Sequence, residues 1–294
     1  VESQYANGAW AQRFSAPPDP GAYAIKRASY PESWSREFPK VRYSQFYTFN
    51  DNAMGDTIEV ILEAAETYHT SAYRDAAIRC GDFMLLAQMP DPQPAWAQQY
   101  DFDMHPVWAR KFEPPSITGG ESQSIMFSLL LLHRETGEHK YLDAIKPALD
   151  YLEHSLLSDG RLARFYELKT NRPLYFTHNY KLTYDDSDVP THYSFKIPSR
   201  LAKIRSNYER QVKASPEELR DRPKSRPKRK FSRKTMTEAQ EAVDSLDDQG
   251  RWLEKGWLRS YEPSGPDMRV LNIDTYVHNL HALTEFLLTM PLDP

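Results

Sequence analysis

YTFNDNAMGD, residues 47–56, joins an aromatic run to the start of an amphipathic segment. Beyond it, apolar residues recur at Met54, Ile58, Ile61, Leu62, Ala65 and Tyr68, the spacing of one buried helical face. This spacing predicts a helix with Asp51 at its N-terminus, where a carboxylate caps orphan backbone N–H groups. Asn50 and Asn52 flank it. Carboxylate and amide oxygens are also the hard donors that calcium takes, although one carboxylate does not complete a calcium shell.

The helical pattern repeats. Tyr73, Asp75 and Ala76 align with Tyr141, Asp143 and Ala144, while Ile61 and Leu62 fall on Leu129 and Leu130. Helices are expected over 53–68, 72–88, 122–134 and 141–157, each with one apolar stripe and too few β-branched runs for strands. At the same offset Gly119 stands where Asp51 stood. A second recurrence follows the hairpins: WAQQY at 96–100 and LARFY at 162–166 each close a pair, and WAQRF at 10–14 resembles them.

Stacked helical hairpins bury faces that none buries alone. The reading is therefore an all-α chain, a toroid of helical hairpins, with one hairpin expected upstream of Val1. A single catalytic domain over 1–294 is expected, interrupted by a mobile basic excursion at about 213–240. Residues 222–234 carry eight Lys or Arg and no acid, in a chain of net charge −4. Pro223 and Pro227 break that run and no nucleic-acid fold signature accompanies it, so a solvated segment is the expectation. A last helix over 275–288 should turn Tyr276, Leu280, Leu283, Phe286 and Leu287 inward.

Composition narrows the function. With 40% hydrophobic and 27% charged residues the chain can bury a sizeable core, and no run approaches the roughly 18 apolar residues of a membrane span. The single cysteine, Cys80, excludes an intramolecular disulfide and cannot alone make a thiolate metal site. The 18 Tyr and 6 Trp suit a carbohydrate cleft, where aromatic faces stack on sugar rings, and equally suit a core.

Two arginine strings carry candidate chemistry: WARKFE at 108–113 and LARFYE at 162–167. Arg110 and Arg164 each follow Ala and precede a Glu three residues on. A guanidinium fork suits a bidentate grip on a carboxylate, and pairing with the neighbouring Glu as scaffold is the alternative. Between the strings, PPSITGGES at 114–122 resembles a turn feeding a helix, where Glu121 favours the helix dipole.

YTFNDNAMGD, WARKFEPPSITGGES and ARFYELKTNRPLYF together resemble the motifs of the family 10 pectate lyases, over nearly the whole chain apart from the basic excursion. That resemblance implies an (α/α)3 toroid that cleaves polygalacturonate, an α-1,4-linked galacturonan, by calcium-dependent β-elimination. By it, Asp51 matches a calcium-binding aspartate, and Arg110 and Arg164 match arginines that bind the substrate's carboxylates. Arg172, Tyr166, Trp96 and Asn50 complete the candidate substrate contacts. The family's other calcium aspartate lies upstream of the position of WAQRF. Its base is an arginine soon after the TNRP segment, where this chain reads FTHNYK at 176–181. His178 or Lys181 is therefore the candidate base, with Arg172 and Arg251 next, and an ordinary histidine accepts a proton far more readily at neutral pH than arginine does.

The resemblance also implies a secreted or periplasmic monomer acting on an acidic polysaccharide, with neither nucleic acid nor membrane as partner. Two other readings stay open. One is a binding or degenerate member that keeps the cleft without turnover, and the other is an α/α-barrel glycoside hydrolase acting on uronides, which requires two carboxylates across the cleft.

Overall fold

The computed structural model describes residues 1–40, 42–220, 230–256 and 268–290. It divides into two compact units, Val1–Asp221 and Arg222–Pro294. The boundary falls inside the expected basic excursion. That segment is helical at its described margins, and residues 221–229, most of the basic run, lie outside the described residues.

In the first unit, α1 (Ala53–Tyr68) and α2 (Ser71–Ala87) pack as a hairpin, as do α3 (Gly119–Thr136) and α4 (Lys140–His154). The helix α5 (Leu201–Lys213) lies against α3 and α4, followed by the short α6 (Pro216–Arg220). The core runs through Ile58, Phe83, Met84, Leu129, Tyr141, Ile145 and Leu149, the apolar stripes that the periodicity marked. The helix α3 begins earlier than expected because Gly119 fits where a side chain cannot: a Cβ there would lie 2.5 Å from the Ala163 carbonyl oxygen.

The all-α expectation is corrected by the segments between the helices. They form antiparallel sheets from β1 (Tyr47–Thr48), β2 (Gln99–Tyr100), β3 (Ser116–Thr118), β4 (Leu162–Ala163), β5 (Phe165–Glu167), β6 (Pro173–Phe176), β7 (Leu182–Thr183) and β8 (Lys196–Ile197). The strand β1 pairs with β2, β4 with β8, and β3-β5-β6-β7 make a four-stranded sheet. The fold is mixed α and β. Strands of two to four residues are too short to show a period-2 pattern, so they read as loops.

The second unit holds α7 (Arg233–Asp244), β9 (Leu253–Lys255), β10 (Arg269–Leu271) and α8 (Ile273–Leu287), with β9 antiparallel to β10 and α7 packed on α8. The inward face expected of α8 is also corrected: Tyr276, Leu280 and Leu287 are exposed and Ala282 is its buried residue. The periodicity located an apolar stripe but could not say what covers it.

One local device recurs at the helix entries. The chain returns antiparallel to the close of the previous repeat and then starts a helix. Thr48 N–H donates to the Trp10 carbonyl before α1, and Thr118 N–H to that of Trp96 before α3 (3.4 and 2.9 Å). Leu162 opposes Ile197 before α5, and Leu253 opposes Leu271 before α8. The WAQQY and LARFY strings are equivalent in atomic detail. Tyr100 hydroxyl accepts from Ala97 N–H and donates to the Ala87 carbonyl, both at 2.7 Å. Tyr166 hydroxyl accepts from Ala163 N–H and donates to the Ser155 carbonyl, at 2.8 and 2.7 Å. Each hydroxyl ties a helix end to the segment after it. Tyr100→Phe and Tyr166→Phe should each leave a buried N–H and C=O unpaired and cost about 1–3 kcal/mol by denaturant titration. Losses near zero would show that the hydroxyls are not structural.

Candidate active site

Arg110 sits in a tight turn closed by Ala109 N–H to the Glu113 carbonyl and Glu113 N–H to the Arg110 carbonyl (3.1 and 2.9 Å). The turn brings Glu113, 1% exposed, beneath the guanidinium. The Glu113 carboxylate accepts from Arg110 N–H at 3.0 Å, from Arg110 Nε at 2.9 Å and also from Nη2. The Tyr193 hydroxyl donates a further bond to it at 3.1 Å. These bonds from Glu113 hold the guanidinium protonated, well above its already high range.

Arg164 lies between β4 and β5, its N–H bonded to the Phe195 carbonyl and its own carbonyl to Gly119 N–H. Its Nε donates to the Ser194 carbonyl at 2.6 Å, which aims the guanidinium over Tyr193. Arg164 and Arg110 lie 4.7 and 5.7 Å from the centroid of that one ring. Arg110 pairs with its neighbour Glu113, whereas Arg164 does not pair with its neighbour Glu167, which bonds to Arg36, Tyr184 and Thr170. Phe112, Phe165 and Phe195 surround Tyr193 and fix the ring.

Asp51 completes this corner. It sits in a 3-10 turn, Asn50–Asn52, ahead of α1, with φ 53° and ψ 28°. Asn52 also has positive φ. Two adjacent non-glycine residues in the left-handed region are strained, a common mark of functional loops. Asp51 is exposed, close enough to Arg110 for its charge to act on the guanidinium, and its Oδ2 accepts from Asn50 Nδ2 at 3.1 Å. Asn50 is itself buried. Behind Arg164, Glu121 is buried with Oε2 lacking a hydrogen-bond partner. Burial pushes its pKa up against the pull of Arg164.

His178 and Lys181 occupy the turn between β6 and β7. His178 is exposed; its Nδ1 lies 2.8 Å from Asp188 Oδ1, and its backbone N–H points to Oδ2 of the same carboxylate. Lys181 is exposed. Tyr180, in the same turn, stacks on Phe112 at 5.8 Å, which ties this hairpin to the Arg110 loop. His192 meets both Phe112 and Tyr180 edge-on. No pattern in the sequence marks His192, Asp188 or Tyr193; the Tyr193 partner Glu113 lies 80 residues away along the chain.

Three expected contacts are relocated. Trp96 is fully buried with Nε1 donating to the Met84 carbonyl, and Tyr166 is 1% exposed with its hydroxyl satisfied. Both are core groups with no face left for a substrate. Arg172 stacks on Tyr184 rather than Tyr193, 3.4 Å from the ring centroid. Around Tyr184, the buried Glu167 accepts from Arg36, Tyr184 and Thr170.

A model of the pectic acid lyase family matches residues 1–163. The chain belongs to that family. Its membership places it among the polysaccharide lyases. The fold is similar to that of the family 10 polysaccharide lyase from Cellvibrio cellulosa, at 20% identity and a TM-score of 0.52, covering 71% of this chain and 69% of that one. It is likewise similar to a mutant of that enzyme in complex with trigalaturonic acid, at 20% identity and a TM-score of 0.53, covering 72% and 70%. No curated protein matches the chain.

The family resemblance implies calcium, for which Asp51 is the expected ligand. Calcium takes six to eight oxygens. Among the described residues no three His, Cys, Asp or Glu side chains come together to hold a metal. Asp51 offers one carboxylate, beside the Asn50 side chain, which is fewer donors than a full calcium shell.

Glu167 gives a pH signature. Burial pushes its carboxyl up, but the bonds from Thr170, Arg36 and Tyr184 outweigh this and hold it below its ordinary value of 4.5. A depressed carboxylate adds stability above the unfolded value and loses it as pH falls through the folded one. Glu167→Gln should lower Tm at neutral pH and flatten its fall below about pH 4.5. A parallel acid slope in both proteins would contradict this.

Proposed function

We propose that this lyase cleaves polygalacturonate by β-elimination, with a uronate carboxylate held by Arg110 and Arg164. The observation that carries the reading is the pair of guanidiniums on the Tyr193 ring. One is neutralised by Glu113, and the other has no carboxylate hydrogen-bonded to it among the described residues.

The chemistry follows from charge. The C5 proton of a uronate is weakly acidic because the adjacent carboxylate is already negative. Guanidiniums on that carboxylate stabilise the enolate-like charge that develops as the proton leaves, and fixed donors do so without reorganising. The base takes the C5 proton, the pair of the broken C5–H bond forms the C4–C5 double bond, and the C4–O bond breaks with its pair leaving on oxygen. The departing oxygen takes a proton from water.

In this proposal the base is His178. Asp188 occupies Nδ1 and leaves Nε2 as the nitrogen that accepts, and the Tyr180–Phe112 contact links the hairpin to Arg110. Lys181 is the companion candidate. A polymeric substrate would place the reaction outside the cytoplasm.

The lack of an arginine within 176–181 favours, as second reading, a member that binds without turnover. Absorbance of the unsaturated uronide released from polygalacturonate separates the two. Arg164→Ala should lower kcat/KM by about 100-fold or more. His178→Ala should lower kcat similarly and leave binding nearly intact. Full activity in both His178→Ala and Lys181→Ala would place the base elsewhere. No product from the unaltered protein, with binding retained, would support the second reading.

A further inference from the structure

The arrangement at Tyr193 occurs a second time, around Tyr184. In the first, the tyrosine hydroxyl donates to a buried glutamate, one arginine is bound to that glutamate, and a second arginine lies on the same ring. In the second, the Tyr184 hydroxyl donates to Glu167 at 2.8 Å, Arg36 bonds to Glu167, and Arg172 lies on the Tyr184 ring. The Arg36 guanidinium is also 5.5 Å from that ring. Glu113 and Glu167 hold the same place in the two Arg–Glu strings. Only the arginine differs, because Arg36 arrives from the N-terminal segment instead of from three residues upstream.

The core of each cluster is two guanidiniums and one buried carboxylate, and the first has Asp51 and Glu121 near it as well. Among the described residues Arg172 has no ion pair; its guanidinium is held by the Tyr184 face, and it is exposed. A cation held against a ring is preorganised, so little rotamer freedom is lost when an anion docks. Trp34 lies under Arg36 at 4.8 Å and gives the cluster an aromatic wall of the kind a sugar face meets.

We propose that Arg172, Arg36 and Tyr184 form a second carboxylate subsite, which takes another uronate unit of the same acidic polysaccharide. This rests on the substrate class proposed for the Arg110–Arg164 pair. The subsite adds affinity and length preference; it takes no part in bond breaking.

The test is calorimetric binding of a ladder of oligogalacturonates, from the dimer upward, to the unaltered protein, Arg172→Ala and Arg164→Ala. Arg172→Ala should weaken the longer oligomers by about tenfold and leave the shortest unchanged, the loss of one charge-assisted contact. Arg164→Ala should weaken every length. Arg172→Lys keeps the charge without the fork and should show the same length dependence in milder form, which covers any folding defect in the alanine variant. If Arg172→Ala binds every length as the unaltered protein does while Arg164→Ala weakens all of them, the second subsite is overturned and the first reading stands. Equal weakening at every length also overturns it. Absence of binding by the unaltered protein overturns both.

Discussion

The Glu113 carboxylate holds the site together. Two guanidiniums on one tyrosine ring repel each other, and at the low effective dielectric of a half-buried corner that repulsion is several-fold larger than in water. Glu113 offsets it by binding Arg110 through three donors and the Tyr193 hydroxyl through a fourth. Its own burial is costly without those bonds. The carboxylate and the guanidinium are therefore interdependent: removing either leaves the other charged and unpaired. Arg164 is oriented by the Ser194 carbonyl, and the buried Glu121 is close enough for the two charges to act on each other.

The scaffold makes this corner possible by repeating one move. Before α1, α3, α5 and α8 the chain pairs briefly with the segment that follows an earlier helix or closes an earlier string, so segments distant in sequence meet where these helices begin. Asp51 ahead of α1, Glu121 in the first turn of α3 and Arg164 beside Gly119 share this origin. Tyr100 and Tyr166 fasten two of these exits to helix ends with paired hydroxyl bonds. Their burial also means that the aromatics at the repeat closures are consumed by the fold itself and offer no face to a sugar.

What the sequence showed and hid follows from range. The helices α1 to α4 were legible because their signal is local and periodic, and the arginine strings because charge in an aromatic setting is distinctive. The strands were not, since a pair such as Leu162–Ala163 with Lys196–Ile197 is set by long-range return of the chain. The partners that give the arginines meaning were equally hidden: Tyr193 stands far from Arg110, and Arg36 farther still from Glu167. The expected inward face of α8 failed for a related reason, because periodicity identifies a stripe but not its cover.

The central claim is that Arg110 and Arg164 act together on one substrate carboxylate. A crystal structure with trigalacturonate bound tests it most directly. The account predicts a uronate carboxylate within hydrogen-bonding distance of both guanidiniums, beside Tyr193 and Asp51. A ligand bound elsewhere, with both guanidiniums turned only to protein groups, would contradict it.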